Sequence, residues 1–514
     1  MPFGIDDREI SMEKSIIIIG AGVAGLSAGC YGQMNGYKTQ IFEMHTLPGG
    51  VCTTWKRKGY KIDGCIHWLT GTKPGTDFYQ IWEELGVMPE STIIDHEEYA
   101  RIEGKDGKVF TVYCDIDRLR QHMMELAPED KELIEEFTNG IRKMIDFHIP
   151  WEKAPDLFGP LDVLKLMRSM IPFSGVFRKW GNKTIKDVAQ QFKNPFMREA
   201  FPYVFNLENP PEFPILAVMK TFGWMNQKTA GYPIGGSLKL ARVIEGHYLA
   251  LGGKINYKSR VVKILVENDR AVGVKLIDGS EHRADIVVSA ADGRTTIFDM
   301  LNGKYINNKI QGYYDKLDLF PPLIYVGLGV NGSFQEVSST VTGIDFPFDK
   351  PIKIGEKERR RMSVQFYTFD TTLAPEGKTF VRVHFASDYD YWEKLKQDPK
   401  RYKAEKEKIA EKVIAQLDRR FPGFAVNVEM HDVATPMTWV RYTGNWRGSF
   451  EGWIETTETM RMRMSQMLPG LSNFYMAGQW VQPGGSLPAV AMSGRNAIQI
   501  ICKKDKKKFV TTKP

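Results

Sequence analysis

Two stretches separated by most of the chain have residue types and spacing suited to holding one large anionic ligand. Ser15 to Gly29 reads SIIIIGAGVAGLSAG, an isoleucine run followed by Gly20, Gly22 and Gly25 and then small residues that open a helix. Gly20 permits a tight turn out of a strand, Gly22 lets backbone approach a pyrophosphate, and Gly25 lets the helix pack close to the sheet. Helix amides and dipole then meet the phosphate charge, with Val23 and Ala24 in the first turn. Glu43 closes the next strand, YKTQIFE, 18 residues after Gly25, where a carboxylate accepts hydrogen bonds from ribose hydroxyls. Near the other end, Asn473 to Ile501 reads NFYMAGQWVQPGGSLPAVAMSGRNAIQII, a strand, a Gly-Pro-rich loop and a helix. Together the two stretches describe a flavin nucleotide site. Gly327, Gly329 and Gly332 repeat the GxGxxG spacing, but no small-residue helix and no acid at the right distance follow, so they read as strand and turn.

Elements that could position these residues recur three times along the chain. The first set covers residues 1–90, with the glycine turn. The second covers 226–300, where a helix leads into strands at Lys254–Tyr257, Val261–Glu267, Ala271–Ile277 and Ala284–Ser289, with reversals at Asn268-Asp269 and Asp278-Gly279. The third is 431–502. Residues 91–225 look helical and 301–430 combine strands with a charged helix, Pro399–Phe421; these insertions are expected to form the substrate domain. Residues 503–514 are a basic tail, for which a solvated segment and attraction to anionic lipid both stand. The expected fold is α/β, a Rossmann-type dinucleotide-binding domain with an inserted α+β substrate domain.

At 514 residues and 42% hydrophobic, the chain has the size and composition of a multidomain soluble protein. The apolar run after Ser15 is shorter than the roughly 20 residues needed to span a bilayer. The acidic start, MPFGIDDREISMEK, lacks a hydrophobic signal core, so a cytoplasmic location is expected. Five cysteines show no CxxC and no repeated spacing, so neither a metal site nor a disulfide framework is expected. Cys52 and Cys65 fall near the expected cofactor; a redox pair and two reduced, packed thiols are both open readings. In Pro160–Trp180, Leu161, Leu164, Met167 and Ile171 share one helical face, opposite Asp162, Lys165 and Ser169. Core packing and a monotopic membrane helix both fit that pattern. No nucleic-acid partner is expected.

Five blocks resemble the phytoene desaturase-like flavoproteins, a group with carotenoid desaturases, carotenoid isomerase and retinol saturase. They are GAGVAGLSAG with Glu43; PGGVCTTWKRKGYKIDGCIHWLTG, Pro48–Gly71; YPIGGSLKLARVIE; ATPMTWVRYTGNWRGSFEGW, Ala434–Trp453; and FYMAGQWVQPGGSLPAVAMSG. The resemblance covers nearly the whole chain and implies a GR2-like flavoprotein fold with FAD as cofactor. It implies FAD contacts at Gly20, Gly22, Gly25, Glu43, Gly49, Gly50 and Val51, with Val261 offering backbone to the adenine. Gly478 and Gln479 would approach the phosphate and ribityl chain, and Gly485, Ser486 and Leu487 the flavin ring. Pro488 suits a first helical turn, so amides there favour the negative charge of reduced flavin. Where the family has arginine after the paired glycines this chain has Val51; Lys56, Arg57 or backbone amides are the candidates to replace it.

His67, in GCIHWLTG, is the candidate catalytic proton donor, because imidazole titrates near neutrality; a packed histidine satisfied by backbone is the alternative. Trp68, Tyr442, Trp446, Trp453 and Trp480 are candidates for an apolar tunnel, with core packing as the alternative. The function implied is FAD-dependent desaturation, saturation or cis-trans isomerisation of carbon-carbon double bonds in a long apolar isoprenoid or lipid. Partners would be an apolar small-molecule substrate, an external electron donor or acceptor, and a membrane surface. Two rivals share the architecture. Flavin amine oxidases usually carry an acid after the AG pair, where this chain has Gln479, and GDP-dissociation-inhibitor-type proteins bind prenyl groups without redox chemistry.

Overall fold

A parallel five-stranded sheet organises the nucleotide-binding part of the molecule. The computed structural model describes residues 13–148, 150–205 and 211–513, so the acidic segment 1–12 lies outside the described residues. The sheet runs in the order Lys254–Asn256, Lys38–Phe42, Ser15–Ile19, Ile286–Ser289, Phe474–Met476. Ile17 pairs with Val287, which in turn pairs with Phe474, so strands from the head, middle and tail of the chain lie side by side. Ile16, Ile17 and Ile18 are fully buried, the pattern of a parallel strand covered on both faces.

The helix Val23–Met34 packs between the helices Gly236–Ala250 and Leu487–Lys504. Glycine allows the close approach: a Cβ on Gly494 would lie 2.3 Å from the Ala24 carbonyl oxygen. Ser27 Oγ then donates to the Ala491 carbonyl at 2.6 Å, fastening head to tail. The strands Val261–Glu267, Arg270–Leu276 and Glu281–Arg283 form a separate antiparallel sheet, with its reversal at Asn268 and Asp269, both at positive φ.

The two insertions share one seven-stranded sheet, ordered Val428–Ala434, Leu323–Asn331, Lys378–Ala386, Lys357–Phe366, Thr340–Ile354, Glu98–Glu103, Val109–Tyr113. The helical reading of residues 91–225 is therefore corrected at its start. Glu98–Glu103 pairs in parallel with Thr340–Ile354, a partner more than 200 residues away that local periodicity does not reveal. Helices then run from Ile116 to Asn226. The second GxGxxG lies in and just after the strand Leu323–Asn331, as expected; a Cβ on Gly329 would meet the Tyr60 ring at 2.5 Å, so packing explains that glycine.

The basic tail is tied down. Asn35 and Val510 exchange two hydrogen bonds of 2.9 Å, Phe509 stacks 5.9 Å from Tyr31, and Lys513 pairs with Glu83. The helix Pro160–Met170 has no buried residue, which removes core packing as the explanation for its apolar face.

Candidate functional site

An open cleft of about 1350 Å³, part of it open to solvent, runs along the carboxyl ends of the parallel strands. Its walls begin with the glycine turn. Gly20, at φ +95, reverses the chain after Ile19, and its N–H donates to the Phe42 carbonyl at 2.8 Å. Gly22 and Gly49 are bridged in parallel, and the Gly49 N–H donates to the Ala21 carbonyl at 2.8 Å, so the paired glycines lie against the turn. Gly25 does not line the cleft; its Cβ position is 2.0 Å from the Gly20 carbonyl oxygen, and its role is to let helix and turn touch.

Glu43 is buried beside the turn. Its Oε2 accepts from the Ala21 N–H and its Oε1 from the His45 N–H, each at 2.7 Å. Burial pushes its pKa up, opposed by those backbone donors. The carboxylate thus holds the turn in shape and still presents lone pairs to the cleft, which it lines. Val261 lines the cleft together with Ser259 and Arg260.

At the other end the wall is the C-terminal block. Gly478, at φ +101, donates its N–H to Ser493 Oγ at 2.7 Å, and its Cβ position is 3.7 Å from Ala24 Cβ. A Cβ on Gly485 would lie 2.3 Å from the Glu451 carbonyl oxygen, so this loop and the segment around Glu451 are in close contact. Gly20, Gly22, Val23, Ala24, Glu43, Gly49, Gly50, Val51, Val261, Gly478, Gln479, Gly485, Ser486 and Leu487 all line this one cleft.

The residues present fit a flavin dinucleotide on several grounds. The helices beginning at Val23 and Leu487 have no side-chain cap and no acid in their first turn, so two positive helix ends open on the cleft. A Cβ on Gly22 would find nothing nearer than 4.0 Å, which leaves the backbone approachable. Two buried donors, Gln479 Nε2 and Trp480 Nε1, have no partner among the described residues, and both residues line the cleft. Donors without acceptors suit the carbonyl, hydroxyl and phosphate oxygens of such a ligand.

Several expected residues lie elsewhere. Lys56 and Arg57 are on an exposed hairpin strand, with Arg57 Nε 3.7 Å from Asp432, so neither replaces the arginine absent at Val51; the basic residue lining the cleft is Arg260. His67 is not a wall of the cleft. Arg382 Nη2 donates to its imidazole, 2.8 Å from Nδ1, and its ring packs against Trp68 and His384. Trp68 packs with Tyr99 and Phe205 at the helical core. Tyr442 and Trp480 line the cleft, whereas Trp446 and Trp453 stand behind it in an aromatic cluster with Tyr314 and Trp480.

Sequence reading missed Asp292 and Glu451 at the wall. Asp292 Oδ1 accepts from Thr295 N–H at 2.7 Å and Oδ2 from Trp446 N–H at 2.8 Å, joining the end of strand Ile286–Ser289 to the aromatic segment. Burial raises its pKa to about 6. The available signal was its position just after a buried strand, in SAAD.

A parallel sheet with a glycine turn, a buried acid beside it and a second helix end on the same cleft gives the frame of a dinucleotide-binding flavoprotein. The chain belongs to the flavin containing amine oxidoreductase family, whose model matches residues 23–502. It is 24% identical to the chloroplastic prolycopene isomerase of Arabidopsis thaliana over 93% of this chain and 81% of that one. It is 22% identical to a lycopene-forming phytoene desaturase of Paracoccus sp. over 95% and 97%. Cyclohexylamine oxidase from Brevibacterium oxydans shares the fold, with a TM-score of 0.58 at 14% identity over 96% of this chain and all of that one. The resemblance to phytoene desaturase-like proteins holds, the protein is an FAD-dependent oxidoreductase, and FAD is its cofactor.

Proposed function

We propose that the enzyme oxidises, reduces or isomerises carbon-carbon double bonds of a long apolar isoprenoid or lipid. The observation that carries this reading is the apolar part of the cleft wall, where Val51, Cys52, Cys65, Phe450, Leu487 and Val490 stand together with the single carboxylate of Glu451. FAD, when bound, supplies a hydride acceptor or donor at N5. The chain's own part is to hold an unreactive hydrocarbon there and exclude water, while the uncapped helix at Leu487 favours negative charge on the reduced ring. The names of the isomerase and desaturase relatives support the substrate class.

His67 enters this proposal as the proton donor of the reaction, seated on Arg382 and not on the wall itself. His67→Ala is expected to retain FAD and to lower turnover by about 10²-fold, the scale of a lost proton-transfer group. An unchanged rate removes His67 from the mechanism.

The substrate class is tested by anaerobic single turnover of oxidised and reduced enzyme against carotenoids, retinoids, unsaturated fatty acids and polyamines. A polyene that changes the flavin spectrum supports the reading and gives the direction of the reaction. Peroxide release from an amine overturns it, and colourless protein from flavin-replete cells favours a lipid carrier.

The same reading includes a membrane surface as the source of substrate. Leu161, Met167 and Ile171 are 73%, 64% and 66% exposed on the helix Pro160–Met170, and Lys165 and Arg168 are exposed beside them. No helix among the described residues is long and apolar enough to cross a membrane, so contact would be in the plane of the interface. Replacing both Leu161 and Met167 by Glu is expected to lower partitioning onto anionic phospholipid vesicles by at least about 10²-fold, at about 1.5–3 kcal/mol per apolar side chain. Equal sedimentation of variant and parent with vesicles would remove this helix from the membrane.

A further inference from the structure

We propose that Cys52 and Cys65 form a second two-electron redox centre, a dithiol-disulfide pair that exchanges electrons with the flavin. This rests on the cleft being the FAD site.

The geometry begins with a hairpin. Strands Thr54–Arg57 and Tyr60–Asp63 pair antiparallel with Thr54 opposite Asp63, and the Gly64 N–H donates to the Thr53 carbonyl at 3.0 Å. One further step along the hairpin reaches Cys52 on one side and Cys65 on the other. The Thr53 N–H turns away to the Val51 carbonyl at 2.8 Å, so the ladder ends there and the two cysteines lie just past its last bond, on neighbouring stretches of chain. The Cys52 thiol is close enough to be the largest influence raising the Cys65 pKa. Neither is in a disulfide here.

Place separates this pair from the other cysteines. Cys30, Cys114 and Cys502 are buried in packed cores away from the cleft, whereas Cys52, buried in the same core as Cys30 and Cys502, also reaches its wall. Cys52 and Cys65 both line the cleft. They sit at its flavin end, because Cys65 is within electrostatic reach of Glu451, whose carbonyl oxygen touches the Gly485 loop. The supports are rigid: Cys52 Sγ donates to the Ser237 carbonyl at 3.3 Å, and the Cys65 N–H donates to Asp63 Oδ1 at 3.2 Å. Those two anchors are themselves joined, since the Ser237 N–H donates to Asp63 Oδ2 at 2.9 Å.

The exchange balances within the protein and its cofactor. In one direction two S–H bonds break and one S–S bond forms. Two electrons and one proton enter oxidised flavin, and the second proton leaves to solvent. In the other direction reduced flavin returns two electrons, and the disulfide takes up two protons to give two thiols. The adjacent Cys52 thiol, and burial after it, hold the Cys65 pKa up, which keeps the resting pair as thiols. The pair would let the enzyme store one reducing equivalent pair while the flavin holds another.

The test is an anaerobic dithionite titration of purified, ferricyanide-oxidised yellow protein, followed by alkylation and peptide mapping. Wild type is expected to take up about four electron equivalents per flavin, against about two for Cys65→Ser and Cys52→Ala. A Cys52–Cys65 linked peptide should appear in the oxidised sample and vanish on reduction. Yellow wild type that bleaches fully with two equivalents, both thiols alkylating after ferricyanide, overturns the pair alone. Wild-type titration and peptide map decide the matter even where the variants fail to fold. Protein that binds no FAD overturns instead the cleft assignment beneath it.

Discussion

Gly22→Ala is expected to give a folded but colourless protein. Gly22 has φ −67 and ψ 172, a conformation any residue adopts, and an added Cβ would meet no atom nearer than the Gly49 oxygen at 4.0 Å. The chain therefore tolerates the methyl group. The ligand does not, because that methyl stands in the cleft at the start of the helix Val23–Met34, where a pyrophosphate must approach the backbone. Losing two charge-assisted hydrogen bonds at about 1.5–3 kcal/mol each weakens FAD retention by at least about 10²-fold. The measurement is flavin absorbance per protein after purification, with a thermal melt of the apoprotein as the check on folding. Gly25→Ala is the contrast: its methyl carbon would lie 2.0 Å from the Gly20 oxygen, so fold and ligand are lost together. A fully yellow Gly22→Ala protein would remove the pyrophosphate from this turn.

Asp63→Ala is expected to cost about 3–5 kcal/mol of stability, the sum of a lost helix cap and of buried donors left without an acceptor. Asp63 is fully buried. Its Oδ2 accepts from the Ser237 N–H at 2.9 Å and its Oδ1 from the Cys65 N–H at 3.2 Å, with Ser237 Oγ also donating to it. Ser237 is in the first turn of the helix Gly236–Ala250, whose own cap residue, Gly235, supplies no side-chain acceptor. One carboxylate therefore caps a helix 174 residues away and fixes the segment that carries Cys65. Tyr325 donates to the Asp63 carbonyl, so the seven-stranded sheet is fastened to the same point. Asp63→Asn, which keeps one acceptor oxygen, should lose less. Denaturant unfolding monitored by tryptophan fluorescence measures both, and a loss below about 1 kcal/mol for the alanine variant would show that the cap is supplied from elsewhere.

Much of the cleft wall was legible before any coordinates because its signals are local. Gly20, Gly22 and Gly25 encode a turn within six residues, Val261–Glu267 is a valine- and isoleucine-rich run closed by the Asn268-Asp269 reversal, and Pro488 marks a helix start. Where the expectation placed strands at Ala271–Ile277 and Ala284–Ser289, the structure has Arg270–Leu276 and Ile286–Ser289. What periodicity cannot carry is the partner of a surface. Glu98–Glu103 reads as part of a helical insertion until its pairing with Thr340–Ile354 is known, and His67 reads as a cleft residue until Arg382, 315 residues on, is found against it.

By itself, then, the sequence determined a glycine turn, an acid closing the next strand and a distant helix start, which line one cleft, since each is written in consecutive residues whose backbone demands are steric. The tertiary structure alone decided that Arg260 and not Lys56 faces the cleft, that no residue of the Pro160–Met170 helix is buried among the described residues, and that Cys52 and Cys65, at the base of one hairpin, both line the cleft. Those outcomes depend on which face of a strand or helix turns inward, and that is set by burial against residues far along the chain.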